Sequence, residues 1–156
     1  MLIKGITEED FVNYKLPSMF IAFPYCSFKC GKELCQNSPL ALACNIEVSV
    51  DDIINRYNAN PITKAIVLGG LEPFDSYKDM FELIQKFRER SVGDIVIYTG
   101  YTEEEVADKI PVLSRYHPLI IKFGRFVPNC EYHYDEVLGV QLASPNQYGK
   151  RIEPNA

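Results

Sequence analysis

The chain has 156 residues, with 16 Lys or Arg against 21 Asp or Glu and a formal net charge of −5. This length fits one domain, and the 47% of hydrophobic residues excludes intrinsic disorder on composition. The negative charge argues against nonspecific binding to nucleic acid or to an anionic membrane, and no apolar run approaches the roughly 20 residues of a membrane span.

Short apolar strands and amphipathic helices alternate along the chain. Strands are predicted where apolar runs stand between breakers, at Ser18–Phe23, Ala65–Leu68, Ile95–Tyr98, Leu119–Phe123 and Val137–Leu142. Helices are predicted from the cap Ser49 to about Tyr57, over Ser76–Arg90, and after the cap Thr102. Pro24–Asn45 has few periodic apolar positions and is predicted to be a long loop. This order indicates a single α/β domain over residues 1–156 with a mainly parallel sheet.

Three unusual stretches each follow a predicted strand: the cysteine-rich loop, the run Gly69–Pro73 (GGLEP), and the run Thr99–Tyr101 (TGY). The glycine pair Gly69-Gly70 is expected to end its strand. Because ligands of parallel α/β sheets bind at the carboxyl ends of the strands, we expect all three stretches to meet at one site.

Five cysteines are present, and the spacing Cys26-x3-Cys30-x4-Cys35 is followed by Cys44 and Cys130. The N-terminus becomes acidic within eight residues, which argues against a signal peptide and favours a cytoplasmic location, where thiols stay reduced. Three cysteines within ten residues indicate a metal site rather than inert thiols. Zinc stays open, since Cys44 or Cys130 could complete a site, although the C-x2-C knuckle is absent. An iron–sulfur cluster held by three thiolates would leave one iron open to an exogenous ligand.

The motifs of the chain resemble those of the radical S-adenosylmethionine (SAM) superfamily. More narrowly, the chain resembles the anaerobic ribonucleoside-triphosphate reductase-activating proteins, over nearly its whole length. The similar stretches are Glu9–Tyr14, Phe23–Cys30, Cys35–Asn37, Gly69–Phe74, Ile97–Glu104, Phe123–Phe126, Leu138–Val140 and Ala143–Gln147. Two motifs depart from the usual pattern. The family spacing is C-x3-C-x2-C with an aromatic residue before the last Cys, whereas here four residues separate Cys30 from Cys35 and Leu34 takes the aromatic position. In the second motif, Leu71 stands where a Gly is usual.

This resemblance implies a small, open partial (β/α) barrel that binds a 4Fe-4S cluster and SAM. The implied cluster ligands are Cys26, Cys30 and Cys35, with Cys44 as an alternative to Cys35. The implied SAM-binding residues are Gly69, Gly70, Glu72, Tyr98 and Thr99, with Glu72 or nearby carbonyls accepting from the α-ammonium. The chemistry belongs to the cofactors, so no side chain is expected to act as a nucleophile or acid–base catalyst.

The implied activity is reductive cleavage of SAM to a 5′-deoxyadenosyl radical that abstracts hydrogen from a glycine of an anaerobic ribonucleotide reductase. The implied electron donor is a flavodoxin or ferredoxin. Two alternatives stay open: a radical SAM enzyme acting on a small molecule or peptide, and a non-enzymatic iron–sulfur or zinc module. Asn146 and Gln147 are interpreted as surface polar residues, with contact to cofactor or partner as the alternative.

Overall fold

A computed structural model describes residues 1–26 and 38–154 of the chain. Its strands, in chain order, are β1 Leu2–Ile3, β2 Gly5–Asp10, β3 Ser18–Phe23, β4 Ile46–Glu47, β5 Ala65–Gly70, β6 Asp94–Tyr98, β7 Leu119–Phe123, β8 His133–Asp135, β9 Val140–Leu142 and β10 Tyr148–Ile152. Its α-helices are α1 Ser38–Ala41, α2 Val50–Ala59, α3 Tyr77–Arg90 and α4 Ile110–Leu113, and 3-10 helices cover Pro73–Ser76 and Ser114–Tyr116.

A six-stranded sheet in the order β10-β7-β6-β5-β3-β2 forms the centre of the fold. The inner strands β3, β5, β6 and β7 are parallel, whereas β2 and β10 run antiparallel along the two edges. Two small antiparallel pairs, β1 with β4 and β8 with β9, stand outside it. The carboxyl ends of the four parallel strands therefore meet at one edge of the sheet.

The two faces of the sheet are covered differently, because successive side chains of a strand point to opposite faces. On one face, the strand residues pack with α2 and α3, and the buried members include Ile66, Leu68, Ile95, Ile97, Ile53, Ile54, Met80, Leu83 and Phe87. On the other face, Val67, Val96 and Ile120 pack with Tyr14, from the β2–β3 loop, and with the β8–β9 hairpin. We call these the helix face and the hairpin face.

The sequence predicted the main elements well. The predicted strands Ser18–Phe23 and Leu119–Phe123 are confirmed as β3 and β7, and Ser49 caps α2 by accepting a hydrogen bond from the Asp52 N–H at 3.0 Å. The mixed α/β class and the mainly parallel sheet are also confirmed. Among residues 1–26 and 38–154 the sheet is open rather than closed into a barrel, and none of their helices is long and apolar enough to span a membrane.

Two predicted elements are wrong in extent. The chain after Thr102 forms successive turns, and α4 begins only at Ile110, although Thr102 and Glu105 make the reciprocal bonds of a helix cap. Pro111 has no N–H for a helical bond to the Ala107 carbonyl, which favours the tighter turns seen at Ala107 N–H to Glu104 O and Lys109 N–H to Val106 O.

The predicted strand Val137–Leu142 forms only from Val140 onward. Its first half is the turn of a hairpin, in which Gly139 adopts a φ of +73° and its N–H donates to the Asp135 carbonyl. The glycine pair ends its strand as predicted, and Gly69 and Gly70 are themselves the last two residues of β5.

Candidate functional site

A cavity of about 400 Å³ opens on the hairpin face, at the carboxyl ends of the parallel strands. Residues after three successive inner strands line it: Cys26 after β3, Leu71 and Glu72 after β5, and Thr99 and Gly100 after β6. Described residues from all three unusual stretches therefore meet at one place, with Cys26 representing the cysteine-rich stretch, as the position of ligand sites in parallel sheets predicts. The opposite wall comes from segments outside the parallel strands, namely Val12, Asn13, Tyr132 and residues 140–143.

Cys26 is the cysteine of the predicted cluster motif that the structure describes. It is half-buried and lines the cavity, three positions after the end of β3. Cys30 and Cys35 lie outside the described residues. Cys44 is exposed, and the Cys130 thiol lies 3.7 Å from the Pro128 carbonyl oxygen. Within residues 1–26 and 38–154 no three His, Cys, Asp or Glu side chains gather to hold a metal.

The two glycines of β5 have different surroundings. Gly70 lines the cavity with a φ of +81°, and a Cβ there would lie 2.7 Å from the Cα of Ala22 on β3. Gly69 does not line the cavity; a Cβ there would lie 2.9 Å from the ring of Phe20. Gly70 thus lines the cavity at a position where another residue would be both strained and crowded against β3.

Glu72 is buried and connects the ends of β5 and β6. Its Oε1 accepts from the Gly100 N–H at 2.7 Å, and its Oε2 accepts from the Phe74 N–H at 3.1 Å. The Thr99 hydroxyl lies 2.9 Å from both oxygens and donates its one proton to the carboxylate. Burial raises the pKa of Glu72 to about 7, because desolvation outweighs these hydrogen bonds. A carboxylate has about four acceptor sites, so three donors leave room for one more.

The end of β6 supplies the other two predicted residues. Thr99 is buried, and its hydroxyl accepts from the Tyr101 N–H at 3.0 Å while it donates to Glu72. Tyr98 lines the cavity, and its hydroxyl donates to the Asn13 carbonyl at 2.5 Å. Tyr98 thereby fixes the β2–β3 loop across the hairpin face.

Lys122 is a cavity residue that the sequence reasoning missed. It is buried on β7, and its ammonium donates to the Gly124 carbonyl at 2.8 Å and to the Thr99 carbonyl at 3.3 Å. The ammonium also lies 5.9 Å from the centre of the Tyr98 ring, within range of a cation–π contact. The available signal was a lone lysine in the otherwise apolar strand Leu119–Phe123, since buried charges need partners.

Gln147 also lines the cavity and is buried, so its interpretation as a surface polar residue is wrong. Asn146 binds protein groups, its amide donating to the Arg125 carbonyl at 2.8 Å and its Oδ1 accepting from the Ser144 hydroxyl at 2.6 Å.

The chemistry of the site fits an iron–sulfur cluster, which is held by cysteine thiolates, in that Cys26 lines the cavity. The family model described as "4Fe-4S single cluster domain" matches residues 18–140, more than half of the chain. No curated protein and no solved structure gives a significant match. The chain therefore belongs to the 4Fe-4S single cluster domain family, which indicates a 4Fe-4S cluster as its cofactor.

Proposed function

We propose that the protein is a radical SAM activating enzyme that generates a glycyl radical on an anaerobic ribonucleotide reductase. One observation carries this proposal: Cys26, Gly70, Glu72 and Thr99 converge on a single cavity in a chain whose family binds a 4Fe-4S cluster. Motifs that lie about 70 residues apart in the sequence are thereby brought to one edge of a parallel sheet.

In this proposal Cys26, Cys30 and Cys35 hold the cluster. When bound, it supplies the electron for reductive cleavage of SAM, received from a flavodoxin or ferredoxin. Three ligands leave one iron for the amino and carboxylate groups of SAM, and the half-buried position of Cys26 on the cavity supports this arrangement. The task of the protein is then to bind, orient and exclude water.

The residues at the ends of β5 and β6 would bind SAM. Gly69 and Gly70 belong to the strand that borders the cavity, and Gly70 lets a ligand approach the backbone closely. The remaining acceptor site of Glu72 would take the α-ammonium as a charge-assisted hydrogen bond. Tyr98 and Thr99 would border the ligand from β6. The cavity volume of about 400 Å³ lies in the range of small-molecule sites.

The distribution of elements supports a partial (β/α) barrel. Helices α2 and α3 cover one face of the four parallel strands, and extended segments cover the other. In such a barrel the helices form the outer layer and the opposite face of the sheet lines the interior. The cavity lies on that opposite face, which is the hairpin face.

The exposed side chains at the mouth of the cavity support the proposal of a macromolecular partner. Val12 and Tyr132 line the cavity and are 75% and 66% exposed, and the neighbouring Phe11 is also exposed. Clustered exposed apolar side chains are typical of protein–protein contact surfaces. A loop of a partner protein carrying the target glycine could therefore lie against this mouth.

The deciding experiment is anaerobic reconstitution with iron and sulfide, followed by addition of SAM, a reductant and the cognate reductase. We expect about four irons per chain, methionine and 5′-deoxyadenosine as products, and a glycyl radical detected by electron paramagnetic resonance. SAM cleavage without any protein radical would redirect the proposal to a small-molecule or peptide target. Colourless, zinc-containing protein without SAM cleavage would overturn it.

A further inference from the structure

The turn Ser144–Gln147 is a part of the molecule to which the proposed function assigns no role. Both of its terminal residues are buried, and Gln147 lines the cavity. A buried glutamine has two donor hydrogens and an acceptor oxygen to satisfy, so its partners show what it holds in place.

The Gln147 amide connects two segments. Its Oε1 accepts from the N–H groups of Ala143 and Ser144, at 3.1 and 3.2 Å, which closes the turn on itself. Its Nε2 donates to the carbonyl of Gly124 at 3.4 Å, across the cavity wall. The acceptor side of the amide thus builds the turn, and the donor side attaches the turn to the segment after β7.

The rest of the turn binds the same segment. The Asn146 amide donates to the Arg125 carbonyl at 2.8 Å, and the Val127 N–H donates to the Ser144 hydroxyl at 3.3 Å. Residues 124, 125 and 127 are therefore all bonded to the turn. Gly124, Arg125 and Phe126 form the cavity wall on this side, and we call them the 124–126 wall.

Gly124 lets the two segments approach this closely. Its φ is +107°, and a Cβ there would lie 2.7 Å from the Asn146 carbonyl oxygen. Its N–H also donates to the Tyr101 carbonyl at 3.1 Å, so the wall is attached to the end of β6 as well. Only a residue without a side chain fits between these two contacts.

The Gly124 carbonyl accepts from two cavity residues, the Gln147 amide and the ammonium of Lys122. Lys122 also donates to the Thr99 carbonyl at 3.3 Å, next to the hydroxyl that binds Glu72. The Gly124 carbonyl is therefore one of the groups that hold the buried ammonium of Lys122, and Gln147 helps to fix this carbonyl.

We propose that Gln147 is a positioning residue of the cavity, which holds the 124–126 wall and, through the Gly124 carbonyl, the ammonium of Lys122. This role of Gln147 rests on the proposed function in one respect, namely that SAM is the ligand used to test it.

The first test uses hydrogen–deuterium exchange on the cluster-free protein and needs no ligand. Gln147→Glu keeps the acceptor for the turn but removes the donor to Gly124, and Gln147→Ala removes both. We expect the peptide spanning residues 124–127 to exchange about tenfold faster in both variants. Ser18→Ala is the matched control, because it removes a buried hydroxyl that donates to the Leu16 carbonyl at the amino end of β3.

The second test uses equilibrium dialysis of SAM against the anaerobically reconstituted protein. We expect the Gln147 variants to bind SAM about tenfold more weakly at unchanged iron content, whereas Ser18→Ala lowers only the unfolding temperature. If Gln147→Ala does not fold, the result with Gln147→Glu alone decides whether Gln147 positions the cavity wall.

Unchanged exchange of residues 124–127 in Gln147→Glu would overturn the proposal. So would accelerated exchange with SAM binding within about twofold of the wild type, since the wall would then be structural only. Failure of the wild type to bind SAM would instead overturn the proposed function, and the exchange experiment would still decide whether Gln147 holds the wall.

Discussion

Glu72 and Gly70 show how single residues shape the site. Glu72 has a raised pKa because it is buried, although its two oxygens accept hydrogen bonds from the Gly100 N–H after β6 and from the Phe74 N–H. In the protonated form its O–H can donate to the Thr99 hydroxyl oxygen, so the network survives the change of charge. The contacts to Thr99 and Gly100 are not visible in the sequence, since these residues lie 27 and 28 positions away.

The first prediction concerns the pH dependence of stability. The pKa of Glu72 rises from an ordinary 4.5 to about 7 on folding, so its protonated form favours the folded state. The stability that Glu72 contributes relative to an uncharged residue is fully present below pH 4.5 and is lost as the pH rises through about 7. The unfolding free energy of wild type minus that of Glu72→Gln should fall by on the order of 3 kcal/mol between these limits.

Urea unfolding of the two cluster-free proteins at several pH values measures this difference. The lost acceptor in Gln contributes a constant offset, which leaves the slope unaffected. A difference that does not vary with pH would show that burial does not raise the pKa of Glu72.

The second prediction compares two glycines. Gly70→Ala places a Cβ 2.7 Å from the Ala22 Cα at a φ of +81°, so we expect it to destabilise the protein by about 2–4 kcal/mol. Gly5→Ala is the control, because Gly5 has open space around its Cβ position, and it should change stability by less than about 0.5 kcal/mol. Equal effects in denaturant unfolding would contradict the crowding described for Gly70.

At the scale of elements, the sequence predicted the apolar parallel strands and the capped helix α2 because these depend on local pattern. It missed β2, in which Thr7 and the three acidic residues that follow it make four of six residues polar, and β10, whose sequence YGKRI has one buried residue. Both are edge strands that form by pairing with a buried neighbour, so their own pattern is weak. Lys122 and Gln147 were missed as cavity residues for a similar reason, since their roles depend on contacts with distant segments.

The cysteine series forms the third prediction. Cys26→Ala and Cys35→Ala should abolish retention of about four irons and the absorbance at about 400 nm, because each would remove a cluster ligand. Cys44→Ala and Cys130→Ala should retain both, since Cys44 is exposed and the Cys130 thiol points to a carbonyl. Iron loss in Cys44→Ala together with retention in Cys35→Ala would instead make Cys44 the third ligand.

At the scale of the whole molecule, the residues proposed for chemistry and those proposed for partner recognition lie in different parts of the fold. Cys26, Glu72 and Thr99 follow parallel strands, whereas the exposed mouth comes from the β2–β3 loop and the segment before β8. A change at the mouth can therefore affect a partner without disturbing the strand ends.

The fourth prediction tests this separation. Phe11 is exposed beside Val12 at the mouth but does not line the cavity, so Phe11→Asp should lower glycyl radical yield on the reductase by about tenfold and leave SAM cleavage unchanged. Val92→Asp is the matched control, because Val92 is 90% exposed in the loop between α3 and β6 and is not a cavity residue. Equal radical yields in both variants would exclude this mouth as the docking surface.

The exposed turn at Asn129, where φ is +62°, gives this architecture a natural place for insertion. It lies between the 124–126 wall and the β8–β9 hairpin, outside every strand of the central sheet. Extra residues there would extend the wall outward while the register of β3, β5, β6 and β7 stays as it is. Lengthening this single turn would therefore add chain between two cavity-lining segments, the 124–126 wall and Tyr132, without changing the strand ends.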